Sequence, residues 1–308
     1  MDFNLFIQFV LNGIGNGAVY GSIALALVLI FRSTGLLNLA QGEMALFSTY
    51  FAWWLTSQGL SIFVAIPITI VVSMAGGAVI ERMLIRPVSG EGKSPLNVLI
   101  VMLGMFLAFN ALAQLIFSDT AEPMPKPWPT NSSPGDPVGR SQVVELADIR
   151  ISWSVIALVI ALLIECLILY VLFQRTTVGL KLRAVASNAG SARLVGINSS
   201  AMLMLGWALA AGLGALAGTL VAADRGSVSP GRMFVVVVFA FSGAALGGFD
   251  SPVGAVVGGM IVAIAEALTI GYVDFLSGIE LVVPFGIILL VLLVRPTGLF
   301  GRKVVERV

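Results

Sequence analysis

Again and again along this chain, about twenty residues pass with scarcely a charge among them. From Ser152 to Phe173 the only charged residue is Glu165. Comparable runs fall at roughly 5–31, 61–85, 96–117, 201–223 and 253–272, with shorter ones at 233–249 and 281–294. A helix of about twenty apolar residues matches the ~30 Å hydrocarbon core of a bilayer. Lipid offers nothing to unpaired backbone groups, so such runs must fold as helices or as a closed barrel. A barrel needs alternating segments of about ten residues, which this chain does not have. The composition agrees: 58% of residues are hydrophobic and 11% charged, against about 25% charged in soluble domains. Mean hydropathy is +1.02. The expectation is one all-α polytopic membrane domain over 1–308, with eight or nine transmembrane helices, some of them broken. The start, Met-Asp-Phe-Asn, lacks a cationic lead, and its apolar run is too long for a signal peptide. That run therefore reads as a permanent span.

Several chemistries drop out. The single Cys166 forbids an intrachain disulfide, and the absence of histidine removes His-ligated metals, His-based triads and imidazole relays. Gly13, Gly15 and Gly17 imitate a dinucleotide fingerprint, but no strand precedes them. Gly92-Lys93-Ser94 imitates a phosphate loop, yet Pro87 stands where the first glycine is required. No catalytic residue, cofactor or metal is assigned, and any ATP hydrolysis must come from another chain.

Polarity inside the apolar runs is informative. Residues 32–43 hold Gly35, Asn38, Gln41, Gly42 and Glu43, too polar for a lipid-facing helix. Two readings stand: a broken helix lining a substrate path through Asn38, Gln41 and Glu43, or an ordinary loop. Glu165 and Glu266 are acids at membrane depth, costly to bury. Each is either a structural, paired group or a functional one. Ala210, Gly214 and Gly218 are spaced for close helix approach. Residues 118–151 are the long polar segment, with Pro123, Pro125, Pro127 and Pro129 at alternate positions and Pro134 and Pro137 beyond. This predicts extended chain rather than helix.

Residues 174–200 form a basic island, with Arg175, Lys181, Arg183 and Arg193 and no acid. Leu182, Val185, Ala186, Ala189 and Ala192 recur at helical spacing, which predicts one short amphipathic helix over about 180–195, interrupted by nothing except Gly190. Such a helix needs a surface to pack on. Nine crossings place twelve of the 17 cations on the side of this island, including Lys93, Arg302, Lys303 and Arg307. The positive-inside rule then puts the N-terminus and the proline-rich loop outside, and the island and the C-terminus in the cytoplasm.

Four stretches carry a resemblance. They are Phe31-Arg-Ser-Thr-Gly-Leu-Leu-Asn-Leu-Ala-Gln-Gly-Glu-Met44 and Glu81-Arg-Met-Leu-Ile-Arg-Pro87. The third is Gly179-Leu-Lys-Leu-Arg-Ala184 with Ala192-Arg-Leu-Val-Gly-Ile197, and the fourth Leu246-Gly-Gly-Phe-Asp-Ser-Pro-Val-Gly254 with Arg295-Pro-Thr-Gly-Leu-Phe-Gly301. In this order they resemble the LivH-like permeases of ABC importers for branched-chain amino acids. The resemblance implies a type II-like permease of the bacterial cytoplasmic (inner) membrane. It implies as partners a second homologous permease, two cytoplasmic ATPase subunits and an extracytoplasmic solute-binding protein, and no nucleic acid. It also implies that Gly179, Lys181, Arg183, Ala184, Gly190, Arg193 and Gly196 couple the permease to its ATPase. The Glu of the importer-wide coupling signature is missing, which leaves Gly190 and Gly196 both standing as its glycine. Relatives that move urea or short amides keep those solutes open. A proton-coupled carrier using Glu165 and Glu266, or an intramembrane enzyme, are the readings from other classes.

Overall fold

The computed structural model describes residues 3–35, 37–89, 94–131, 138–146, 149–273, 279, 281–295 and 297–301. Of the residues weighed above, Met1, Asp2, Leu36, Gly92, Lys93, Pro134, Pro137, Pro296, Arg302, Lys303 and Arg307 lie outside them. Among the described residues eleven helices follow one another: α1 Phe3–Thr34, α2 Gln41–Ser57, α3 Ile62–Ile80, α4 Pro95–Ile116, α5 Trp153–Arg175, α6 Thr177–Ser187, α7 Ala189–Leu194, α8 Ser199–Arg225, α9 Arg232–Gly247, α10 Pro252–Tyr272 and α11 Val282–Val294. α3 continues into a π-helical turn, Glu81–Ile85. Polar residues ahead of the apolar runs start many of these helices. Ser94, Ser152, Thr176, Asn188, Asn198 and Ser251 each accept a first-turn N–H.

Six helices (α1, α3, α4, α5, α8 and α10) are long and apolar enough to cross a membrane. The chain is a polytopic helical membrane protein. α2, α9 and α11 are shorter, at 17, 16 and 13 residues. α1 is the mast of the bundle. Its most apolar stretch is 78% buried, against 22%, 17% and 17% for α3, α4 and α5, whose large side chains face outward. That inversion is what lipid permits and water would not.

α9 and α10 meet backbone to backbone. A Cβ on Gly247 would sit 1.9 Å from the carbonyl oxygen of Gly254, and one on Gly259 would meet Gly21 of α1. The segment 297–301 closes the same end of the bundle, because Leu299 and Phe300 donate to the carbonyls of Leu246 and Gly247 at 2.8 and 3.0 Å. Those otherwise orphaned C-terminal carbonyls of α9 are thereby satisfied.

The proline-rich segment is extended, as its sequence requires, and it also pairs. β1 Glu122–Pro123 joins β6 Ser227–Val228, β2 Thr130–Asn131 joins β3 Arg140–Ser141, and β4 Val143–Leu146 joins β5 Ile149–Ser152. Met124 and Trp128 are buried beneath this cap. The basic island departs from the single helix expected of it. The break falls at Asn188, not Gly190: the residue is extended (φ −158°, ψ 103°) and its Oδ1 accepts the N–H of Ser191 at 2.8 Å, so it starts α7 instead of continuing α6.

Candidate functional site

Asn38, Gln41 and Glu43 all lie at 1% exposure or less. The chain leaves helix after Thr34 and re-enters it at Gln41, so the broken helix facing the protein interior is the arrangement adopted. Asn38 Nδ2 donates to Gln41 Oε1 at 3.2 Å, and Asn38 Oδ1 accepts the N–H of Ala40 at 3.0 Å. Gln41 Nε2 donates to the carbonyl of Ala210 at 3.0 Å. Ala210 lies eleven residues into α8, about 16 Å along its axis. The start of α2 is therefore deep in the bundle. Gly214 lets it come so close: a Cβ there would fall 2.6 Å from Gln41 Nε2. Ala210, Gly214 and Gly218 thus form the close-approach face that their spacing predicts, and α2 is what approaches.

Glu43 points elsewhere. Asn110 Nδ2 of α4 donates to Glu43 Oε2 at 2.9 Å, and Gln114 Nε2 donates to Asn110 Oδ1 at 2.6 Å. This chain of three polar side chains lines an open groove of about 1040 Å³, walled by Phe106, Leu107 and Leu115 of α4, Gly231 and Phe234. Asn38 and Gln41 do not line it. The structure thus separates the three residues that the sequence groups together. Two brace the break, and one faces the groove with two partners that α4 supplies. Asn110 and Gln114 are one helical turn apart, which was a readable signal for a shared face.

The two other intramembrane acids are also bonded, both to α1. Ser22 donates to Glu165, and Tyr20 donates to Glu266 at 2.8 Å. Neither Glu165 nor Glu266 lines the groove of Glu43. Phe239 stacks on Tyr20 with centroids 5.0 Å apart, fixing that ring between α9 and the acid.

The basic segment lies at the opposite end of the bundle from the proline-rich cap. α6 is anchored by Leu182 and Val185, and α7 by Ala192, all buried, whereas Ala186 of the expected stripe is exposed. Its start is tight. Thr176 Oγ1 accepts the N–H of Gly179 at 3.0 Å, and a Cβ on Gly179 would stand 2.1 Å from the carbonyl oxygen of Leu172 and 2.5 Å from Cα of Phe173. Gly190 is exposed, and a Cβ there meets only Asn188 Oδ1, at 3.3 Å. Gly196 has φ +81° with open space around it. Lys181 and Arg193 are exposed, while Arg183 and Ala184 are half-buried. Leu180, Leu194 and Val195 are 60%, 89% and 75% exposed, a concentration of apolar surface among cations.

Membrane-length helices around a broken, polar helix and an open groove with a polar floor define a multi-pass membrane permease. The chain belongs to the family described as branched-chain amino acid transport system / permease component, whose model matches residues 9–292. It is 31% identical to the high-affinity branched-chain amino acid transport system permease protein LivH of Escherichia coli over 322 residues, covering 100% of this chain and 99% of that one. It is 30% identical to BraD of Pseudomonas aeruginosa, a permease protein of the same description, with 98% of each chain covered. Among solved structures it is similar to PsaBC from Streptococcus pneumoniae in complex with Fab, at a TM-score of 0.46 and 13% identity, covering 96% of this chain and 94% of that one.

Proposed function

We propose that this chain is the transmembrane permease subunit of an ATP-driven importer for branched-chain amino acids in the bacterial cytoplasmic membrane. The observation that carries the reading is the family match across residues 9–292, on a chain that covers its curated relatives almost end to end. In this reading α2, α9 and α11 join the six long helices in crossing the membrane, with extended chain at their ends or local thinning of the bilayer making up their shorter length. The N-terminus and the proline-rich cap then face outward, where a solute-binding protein docks, and the basic segment faces the cytoplasm.

The coupling segment is α6 and α7, with Gly179, Lys181, Arg183, Ala184, Gly190, Arg193 and Gly196. Its exposed Leu194 and Val195 beside Arg193 suit a groove on an ATPase subunit, apolar at the floor and acidic at the rim. A second permease and two ATPases complete the assembly. ATP-driven closure of the ATPase pair displaces α6, and the bundle exchanges an outward-open for an inward-open groove. For the solute, the Glu43–Asn110–Gln114 chain supplies a carboxylate and amides to a zwitterion, and Phe106 and Phe234 supply apolar walls for its side chain. Asn38 and Gln41 hold the break that aims Glu43 at the groove. Selectivity among solutes resides chiefly in the binding protein.

The test is reconstitution. Proteoliposomes that carry this chain, its permease partner, the ATPase subunits and the binding protein should accumulate radiolabelled leucine only with internal ATP. Omission of the ATPase should abolish uptake, and the ATPase should co-purify with the permease. Leucine accumulation driven by a proton gradient with this chain alone would replace the reading with a carrier.

A further inference from the structure

A second cavity lies at the basic end of the bundle and belongs to no part of the solute path. It is a slot of about 330 Å³ between α1, α5, α6 and α10. Its depth is apolar: Leu25 and Leu29 of α1, Leu169 and Phe173 of α5, and Val256 and Val257 of α10. Its mouth is cationic, formed by Arg32 at the end of α1 and Arg183 of α6, with Gln174 beside them. From Leu25 to Arg32 the wall covers about 10 Å of helix, so charge sits at the interface end and hydrocarbon surface below it. Among the described residues no acid lines the slot, so a zwitterionic solute would find no carboxylate for its ammonium there. Arg183 is held loosely. Its Nη1 donates to Gln174 Oε1 at 3.3 Å, and its Nε is enclosed without any hydrogen-bond partner. An enclosed guanidinium donor left unpaired is costly, and a turn of this weakly bonded side chain would bring its fork onto a phosphate oxygen at the mouth.

We infer that this slot holds a membrane phospholipid with an anionic head group, its phosphate between Arg32 and Arg183 and one acyl chain against α1, α5 and α10. Charge complementarity selects that occupant. The mouth opens onto a segment, 174–200, with four cations and no acid. Basic pockets between membrane helices at that level are the places where anionic lipids bind. Because α6 forms one wall, the lipid ties the basic segment to α1 and α10.

The experiment is native mass spectrometry of the purified full-length chain, equilibrated with equal amounts of phosphatidylglycerol and phosphatidylcholine. The wild type should retain one phosphatidylglycerol about tenfold more than phosphatidylcholine. Arg32→Gln with Arg183→Gln should reduce the preference below about twofold, and Arg183→Lys should keep most of it. Val256→Trp, which fills the slot, should expel the lipid, whereas Leu290→Trp on the exposed face of α11 should not. Excess inorganic phosphate should leave the lipid bound, since it lacks the chain. Equal retention of the two lipids by the wild type would overturn the inference, and that comparison needs no variant to fold. So would release of the lipid by phosphate alone, or by the ATPase subunit, which would make the partner the occupant. None of these outcomes bears on whether the chain transports amino acids.

Discussion

Gly179→Ala tests the coupling segment most sharply, because the obstruction is backbone on both sides. The new Cβ would lie 2.1 Å from the Leu172 carbonyl oxygen and 2.5 Å from Cα of Phe173, where ordinary contact begins near 3.4 Å. No side chain can rotate away. The start of α6 must retreat by about 1.3 Å from the end of α5, which strains the cap that Thr176 makes to the Gly179 N–H. Overpacking of this kind costs about 1–3 kcal/mol. Only Leu182 and Val185 anchor this short helix strongly, so the relief comes from moving α6 rather than the bundle. The docked position of α6 is then depleted about 5–150-fold. Uptake in the reconstituted complex should fall by a similar factor, with membrane insertion and helix content by circular dichroism unchanged. Gly190→Ala is the control. Its Cβ meets only a side-chain oxygen at 3.3 Å, and uptake should stay within about twofold of wild type. Gly190→Trp, by contrast, projects from an exposed position and should block the ATPase without disturbing the permease. Wild-type uptake by Gly179→Ala, or equal damage from Gly190→Ala, would refute the reasoning.

Other expectations follow from the same geometry. Gln41→Ala removes the bond to Ala210 and leaves the amide of Asn38 short of a partner; it should cost about 1–3 kcal/mol in thermal unfolding and lower uptake with it. Asn110→Leu leaves the bundle intact but strips Glu43 of its donor, so leucine uptake should drop more than stability does, read by transport beside a melting curve. Asn188→Ala removes the cap of α7 at about 0.5–2 kcal/mol, and proteolysis between α6 and α7 should accelerate. Leu194→Cys, in a background where Cys166 is serine, should react with an impermeant maleimide only from the cytoplasmic side. Labelling from outside would invert the orientation proposed for the whole chain.

Helix positions were largely legible because lipid sets both a length and a polarity, and runs such as Ser152–Phe173 meet both. The break before α2 was legible only as one of two readings, since the polarity of Asn38, Gln41 and Glu43 excludes a lipid-facing surface but fits a loop as well as a broken helix. Partners were not legible. Nothing in helical periodicity tells Glu43 that it meets Asn110, or Tyr20 that it meets Glu266, because those pairs depend on how separate helices pack. The proline-rich cap shows the same limit: alternate prolines dictate extended chain, but the strand that pairs with Glu122–Pro123 arrives only after α8. Asn188 was a missed signal rather than a hidden one, as asparagine favours helix starts over helix interiors. Gly179 was recognised as part of a motif, while the reason for it, the fold of α6 back onto the end of α5, exists only in three dimensions.

Where the bundle can move follows from where it cannot. Gly243, Gly247, Gly254 and Gly258 bring α9 and α10 to backbone contact, and Gly21 and Gly259 do the same for α1 and α10. Surfaces this close do not slide without losing many contacts at once. Glu165 and Glu266 add bonds from α5 and α10 to the same α1 mast, so these acids stiffen the unit. α4 is different. It turns Leu99, Leu103 and Leu112 outward, and the bond from Asn110 to Glu43 ties it to α2. Opening of the groove is therefore expected as movement of α4 against α2 and α9, with α1, α9 and α10 as the fixed frame. A reducible bis-thiosulfonate bridge between cysteines placed at Phe106 and Phe234, whose rings stand edge to face with centroids 6.2 Å apart, should arrest transport relative to the unbridged double variant, and reductant should reverse the arrest. The same bridge between cysteines placed at Phe9 and Tyr272 of α1 and α10, 5.5 Å apart at their rings, should leave uptake at the level of its unbridged double variant. Equal arrest by both would mean that the frame itself moves.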